Sequence, residues 1–524
     1  MRETREQGIR SICVWLLVFA VLFTHLPGCV SVVKEDKAIL TPKPGPKPRI
    51  NGPKVYGCRP GRPFIYRIPC TGRRPMTFAA GNLPKTLTLD TATGIITGTA
   101  PAERGEYLVT LKAANRRGAM QRPFKIVVGD TLALTPPMGW NSWYIHYWRV
   151  TDRHMRHAAE AMVESGMADF GYQYVNIDDC WMVKPDANDP MIGGEPRDAD
   201  GAIRSNRHFP DMKALADFTH AKGLKAGLYT SPGPMTCQKY TGTYQHEQID
   251  AQKFAQWGFD FLKYDWCAYG CVAFGEGAER VQRPYIKMGA ILPQLERDIV
   301  FNLCQYGMGD VWTWASEIGG HCWRTTGDLG LERGAELPGF YHIGLSNARH
   351  WQYAKPGQWN DPDYILIGWV GDAHKQAEGK LTTLTPNEQY SYMSMWCLMA
   401  APLIFSGDMD KLDDFTLNIL CNAEVIEVDQ DPLGKQAPII HRTDDYFIMA
   451  KDMEDASKAV GLFNTSPTET DIVVTWTDLG LEGPHCVRDL WRQKDLGTYR
   501  NIFEAKVPRH GVTLVRIFPK SSAK

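Results

Sequence analysis

Several carboxylates in this 524-residue chain stand where the surrounding residues are apolar or aromatic. Lys263 and Asp265 end the mostly apolar run from Phe259 to Leu262, Asp178 and Asp179 are adjacent, and Asp361 and Asp363 flank Pro362. Arg324 precedes Asp328 by one helical turn, Gln305 follows Cys304, and Trp140 and Tyr229 supply rings. Such a set suits sugar binding and glycoside cleavage. Sugar hydroxyls donate to carboxylates, and their apolar faces lie on aromatic rings. Breaking a glycosidic bond needs two carboxyl groups, one to protonate the leaving oxygen and one to attack or to activate water. Taken singly, each group also has a plainer reading. Asp178-Asp179 reads as a surface turn or a metal site, Asp265 as a carboxylate paired with Lys263, Arg324 and Asp328 as a helical ion pair, and Asp361 with Asp363 as a turn. Their joint position along the chain separates the two kinds of reading.

From about residue 131, short apolar runs alternate with helical stretches, the rhythm of a (β/α)₈ barrel. Candidate strands end near Trp140, Asp178-Asp179, Tyr229, Asp265, Cys304-Gln305, Arg324 to Asp328, Trp359 to Asp363 and Phe405-Ser406. Barrel enzymes build their sites at the C-terminal strand ends, and the polar set falls there. Helices are predicted from Thr151 or Asp152 to Glu164, from Asp211 to Lys222 and from Gln248 to Trp257, with Gly166, Gly223 and Gly258 as stops.

The predicted fold class is α/β: a barrel over 130–432, followed by an antiparallel β-sandwich over 433–520 with strands near 438–441, 446–450, 460–464, 472–476 and 512–517. Before the barrel, alternating runs at 64–68, 94–98, 107–111 and 124–128 predict an Ig-like β-sandwich over 53–129, which Cys58 and Cys70 would staple. Residues 30–52 are rich in Pro and Lys and read as an extended tether; the Ig-like module reads as a spacer between enzyme and membrane, with glycan binding as the alternative. Residues 1–29 read as an export signal. Arg2, Arg5 and Arg10 precede an apolar run from Ile12 to Phe23 and then Leu26-Pro27-Gly28-Cys29, which resembles a bacterial lipobox despite its Pro. Lipidation of Cys29 would anchor an exported protein to the cell envelope; without it the protein is secreted. A membrane-anchor helix is the alternative reading of the same run. A formal net charge of −1 gives no reason to expect nucleic acid. No His accompanies the acidic clusters at ligand spacing and no paired CxxC occurs, so neither metal nor other cofactor is expected.

Six ordered motifs carry a family resemblance: Pro137-Met138-Gly139-Trp140-Asn141-Ser142-Trp143, Ile177-Asp178-Asp179-Cys180-Trp181, Leu262-Lys263-Tyr264-Asp265, Trp323-Arg324-Thr325-Thr326-Gly327-Asp328, Trp359-Asn360-Asp361-Pro362-Asp363 and Gln430-Asp431-Pro432-Leu433-Gly434. The chain resembles glycoside hydrolase family 27, the α-galactosidase (melibiase) family, over roughly residues 131–520. That resemblance implies a retaining exo-enzyme acting on terminal α-D-galactosyl residues of oligosaccharides or polysaccharide side chains. Asp265 would be the nucleophile and Asp328 the acid/base, about 5–5.5 Å apart. Asp178 and Asp179 would hold the C4 and C6 hydroxyls, and Lys263 a further hydroxyl. Trp140 would lie under the sugar, Tyr229 would line the pocket, and Gln305, Arg324 and Asp363 would serve the C2 and C3 side. Cys237 and Cys267 match positions that form a disulfide. Bulky Gln305 and Met308 stand where members accepting N-acetylgalactosamine have small residues. Rival readings are a β-L-arabinopyranosidase, an α-N-acetylgalactosaminidase or an isomaltose-type glucan hydrolase of the same family, and a non-catalytic glycan-binding surface protein.

Overall fold

Each of the eight apolar runs becomes one parallel strand in a computed structural model of the chain, which describes residues 35–329, 337–372 and 377–519. The strands are β1 (Met138–Asn141), β2 (Tyr174–Asn176), β3 (Lys225–Thr230), β4 (Phe261–Asp265), β5 (Val300–Cys304), β6 (Cys322–Arg324), β7 (Trp359–Asp361) and β8 (Leu403–Phe405). They pair in the order β7-β6-β5-β4-β3-β2-β1-β8, all parallel. A parallel bridge between Ile365 and Phe405 closes the ring. Every residue of these strands is buried. That burial is expected where helices cover a parallel sheet from outside.

The covering helices follow local sequence rules. Helix Asp152–Glu164 is capped by the Thr151 side chain, which accepts from the His154 amide, and buries Met155, Ala158, Ala159 and Met162, one helical face. Asp211 caps Met212–Ala221 in the same way, and Glu247–Trp257 ends at Gly258 with φ +98°. Helix Pro386–Leu398 opens with a reciprocal Thr385–Glu388 capping box and is buried from Glu388 to Leu398. It touches the sheet strands Lys458–Asn464 and Val512–Pro519 and so seats the C-terminal domain on the barrel.

That domain holds a six-stranded and a two-stranded antiparallel sheet around Ile448, Val460, Leu462, Val474, Val487, Phe503 and Val515. Three of its strands, Pro484–Asp489, Lys494–Arg500 and Ile502–Val507, are not predicted from the sequence, because their outward faces are charged or polar and only short apolar stretches remain.

The N-terminal β-sandwich forms as expected around Phe64, Tyr66, Ile96, Val109, Leu111, Phe124 and Ile126. One expectation about it is corrected. Cys58 and Cys70 do not staple the module; both remain separate buried thiols, and burial pushes each up to about 12. The module packs against the barrel. It docks beneath the barrel, at the N-terminal ends of the strands and away from the polar set. There the Lys225 ammonium donates to the Tyr56 hydroxyl at 2.5 Å, and the Arg59 amide to Asp298 at 2.9 Å. The Asn51 side chain reaches the Asp169 carbonyl at 2.9 Å. The Pro-rich stretch is likewise tied down. Strand Arg49–Ile50 pairs with Cys70–Thr71, and Thr41 is buried, with Asn418 and Asn422 donating to its carbonyl and hydroxyl at 2.9 Å. Proline removes backbone donors but leaves carbonyls free to accept, so side-chain amides can hold such a segment without a sheet. The export signal and Cys29 lie outside the described residues. Among the described residues, no helix is long and apolar enough to cross a membrane.

Candidate active site

Strand alternation explains the centre of the site. Lys263 and Asp265 lie two residues apart on β4 and face the barrel interior, while Tyr264 between them turns outward onto Tyr285 at a ring distance of 5.8 Å. Register then brings Tyr229 of β3 beside Lys263, and Cys304 of β5 beside Asp265.

Lys263 and Asp178 form a buried pair, Nζ to Oδ2 at 2.8 Å, with the two side chains 9% and 2% exposed. The Tyr364 hydroxyl also donates to Asp178, at 3.2 Å, and the Lys263 ammonium lies 5.3 Å and 5.1 Å from the Tyr229 and Tyr364 ring centroids. Burial works against the ammonium, but Asp178 outweighs it and keeps the lysine above its usual range. Asp179 takes amide hydrogens from Cys180 at 2.7 Å and Gln238 at 3.0 Å. Burial nonetheless pushes its carboxyl up to about 7.

Asp265 is 4% exposed. Its Oδ1 accepts from the Trp266 amide at 2.6 Å and from the Tyr306 hydroxyl at 2.7 Å. Burial raises its carboxyl to about 6; Lys263 and Tyr306 pull it down, and the charge of Asp328 pushes it up. Asp328 joins the group through Arg324, whose Nη1 lies 3.2 Å from Asp328 Oδ1 and whose Nη2 lies 3.1 Å from Asp363 Oδ2. Arg324 is itself 2% exposed, so one buried guanidinium holds two carboxylates at set positions. Asp363, with φ +80°, also accepts from the Tyr144 hydroxyl at 3.0 Å and the Leu329 amide at 2.7 Å.

Gln305 is fully buried, and neither its amide nitrogen nor its oxygen has a hydrogen-bond partner; the hydroxyl of buried Tyr229 and Nε of Arg324 are in the same condition. Each such group costs about 1–3 kcal/mol if left unsatisfied. Three of them around one pair of carboxylates mark where a ligand's hydroxyls would bind. Trp140 is buried at the end of β1, its indole nitrogen donating to the Gly407 carbonyl at 2.8 Å.

Cys237 and Cys267 are joined, with Cα atoms 4.9 Å apart. Their sulfurs and an Asp265 oxygen lie within 4.8 Å of one another, but sulfurs bonded together offer no thiolate to a metal. Asp361 belongs to the support rather than the site: it accepts from Asn302 Nδ2 and from the Asp363 amide, both at 2.8 Å. Sequence reading missed Tyr144, on the short helix Trp143–His146, and Tyr306, in the turn after β5.

Similarity to known proteins agrees with this geometry. The family profile described as Alpha galactosidase A matches residues 135–431, that of the alpha galactosidase C-terminal beta sandwich domain matches 443–517, and an Ig domain profile matches 48–129. The chain is 36% identical over 419 residues to the alpha-galactosidase of Cyamopsis tetragonoloba, covering 78% of this chain and 93% of that one. A solved Bacteroides fragilis structure, provisionally assigned as an alpha-galactosidase/melibiase, superposes with a TM-score of 0.82 at 37% identity, covering 92% of this chain and all (100%) of that one. Alpha-galactosidase I of Mortierella vinacea gives a TM-score of 0.67 at 29% identity over 76% of this chain and 100% of its own. The chain belongs to the α-galactosidase (melibiase) family of glycoside hydrolases, family 27.

Proposed function

We propose that the protein is a retaining, exo-acting α-galactosidase. Asp265 attacks the anomeric carbon, and Asp328 first protonates the leaving oxygen and then deprotonates the incoming water. The observation that carries this reading is the placing of two carboxyls at the C-terminal end of one barrel: Asp265 ends β4, and Arg324, the last residue of β6, holds Asp328 at 3.2 Å. Asp178, with Lys263, and Asp179 are suited to an axial C4 hydroxyl and the C6 hydroxymethyl; Arg324, Asp363 and Gln305 serve the C2 and C3 side, and Trp140 underlies the ring. Bulky Gln305 and Met308 leave little room for an acetamido group.

Initial rates on the nitrophenyl glycosides test the specificity. The α-D-galactoside is expected to exceed the β-L-arabinopyranoside, which lacks the C6 hydroxymethyl, and the N-acetyl-α-D-galactosaminide in kcat/KM by about tenfold or more. Equal or reversed rates would refute the assignment. Export and lipid attachment at Cys29 belong to the same proposal and rest on residues 1–29 alone; palmitate labelling of cells checks the attachment.

A further inference from the structure

The two oxygens of the Asp265 carboxylate are not equivalent. Oδ1 accepts both of the carboxylate's hydrogen bonds, from the Trp266 amide and the Tyr306 hydroxyl. Oδ2 accepts none. Tyr306 takes up this position through an uncommon backbone. It has φ +65°, and the following Gly307 has φ +85°, where an added Cβ would come within 2.4 Å of the Thr325 carbonyl oxygen. A tyrosine held in the left-handed region costs free energy that this turn must offset. The gain is a phenol aimed at one atom of one carboxylate. The same hydroxyl lies 3.8 Å from Cys267 Sγ, so the disulfide wall backs it. Burial and the charge on Asp265 push the phenol far above its usual range, so it stays protonated and acts only as a donor.

We propose that Tyr306 is a positioning residue for the nucleophile: with the Trp266 amide it fixes Oδ1 of Asp265 and leaves Oδ2 as the atom that attacks. This rests on the α-galactosidase reading. In the first step an Oδ2 lone pair forms the bond to the anomeric carbon, the glycosidic C–O bond breaks, and its electron pair takes the proton carried by Asp328. In the second step water forms the new C–O bond as its proton passes to Asp328, and the bond to Oδ2 breaks. Oδ1 becomes the carbonyl oxygen of the ester intermediate and keeps both donors throughout. A hydroxyl donating to the ionised carboxylate also resists the upward push of burial, so Tyr306 widens the acidic range over which Asp265 can attack.

The test is Tyr306→Phe in the full chain, assayed on nitrophenyl α-D-galactoside across pH. The acid limb of kcat/KM is expected to move to higher pH by about one unit, with kcat/KM at pH below that limb reduced about tenfold and KM little changed. Tyr306→Gln, which keeps a donor, should place the limb between those of wild type and the Phe variant, and it carries the test should the Phe variant fail to fold. The same shift should appear without turnover, in ¹³C NMR titration of Asp-labelled protein, the Asp265 signal being identified by its absence from Asp265→Asn. An unmoved limb and an unmoved carboxyl titration would overturn the role of Tyr306 even with wild-type activity intact. Absence of α-galactosidase activity in the wild type would instead refute the function, and the NMR titration would still decide on Tyr306.

Discussion

Asp265→Asn is expected to reduce kcat on any α-galactoside by on the order of 10⁴-fold, about 5.4 kcal/mol of transition-state stabilisation, while the protein stays folded. The amide matches the carboxylate in shape, and its oxygen can still accept from the Trp266 amide and the Tyr306 hydroxyl. What it lacks is the charge and the lone-pair basicity needed to form an ester with the anomeric carbon. Thermal melting of the variant should differ little from wild type. Because burial holds the Asp265 carboxyl near 6, and the group must be ionised to attack, wild-type kcat/KM should climb as pH rises through about 6. A variant with near-normal turnover would remove Asp265 from the chemistry. Azide gives a further check: entering the space opened in Asp265→Gly and attacking an activated aryl α-galactoside from that face, it should yield β-galactosyl azide.

Asp328→Asn is expected to act differently according to the leaving group. Loss of a general acid costs about 10²- to 10⁴-fold where the leaving oxygen needs a proton, as in galactosyl oligosaccharides. Aryl galactosides with acidic phenols leave without help, so their first step should be nearly preserved. Their second step slows, because no base assists water, and the glycosyl-enzyme should build up after an initial burst. Azide, which needs no base, should then restore turnover and give α-galactosyl azide, the opposite anomer from the Asp265 variant. Equal losses on acidic and basic leaving groups, with no azide rescue, would assign the acid role elsewhere. Arg324 is shared between Asp328 and Asp363, so removing the Asp328 charge leaves the guanidinium paired and the fold intact.

The barrel was readable in the sequence because its signals are local. Apolar runs such as Phe259–Leu262 become buried strands, and Thr151 and Asp211 cap the helices they precede. The central carboxylates were readable because a charged residue ending a buried run needs a reason. Tyr306 was not, since a tyrosine in a turn carries no periodic signal and its direction depends on backbone dihedrals such as φ +65°; nor was Tyr144, whose helix of four residues is too short to show one. Docking of the Ig-like module was hidden for a related reason. Its contacts with Lys225, Asp298 and Asp169 come from scattered polar residues whose partners lie far along the chain. A Cys58–Cys70 bond is unnecessary, because the barrel supplies the support a lone small sandwich would lack.

The most direct test of a covalent intermediate on Asp265 is ¹H NMR of the anomeric proton during the first minutes of hydrolysis, before mutarotation. Double displacement requires α-galactose to form first and β-galactose to grow in later. If β-galactose forms first, water has attacked the anomeric carbon directly and Asp265 is not the nucleophile.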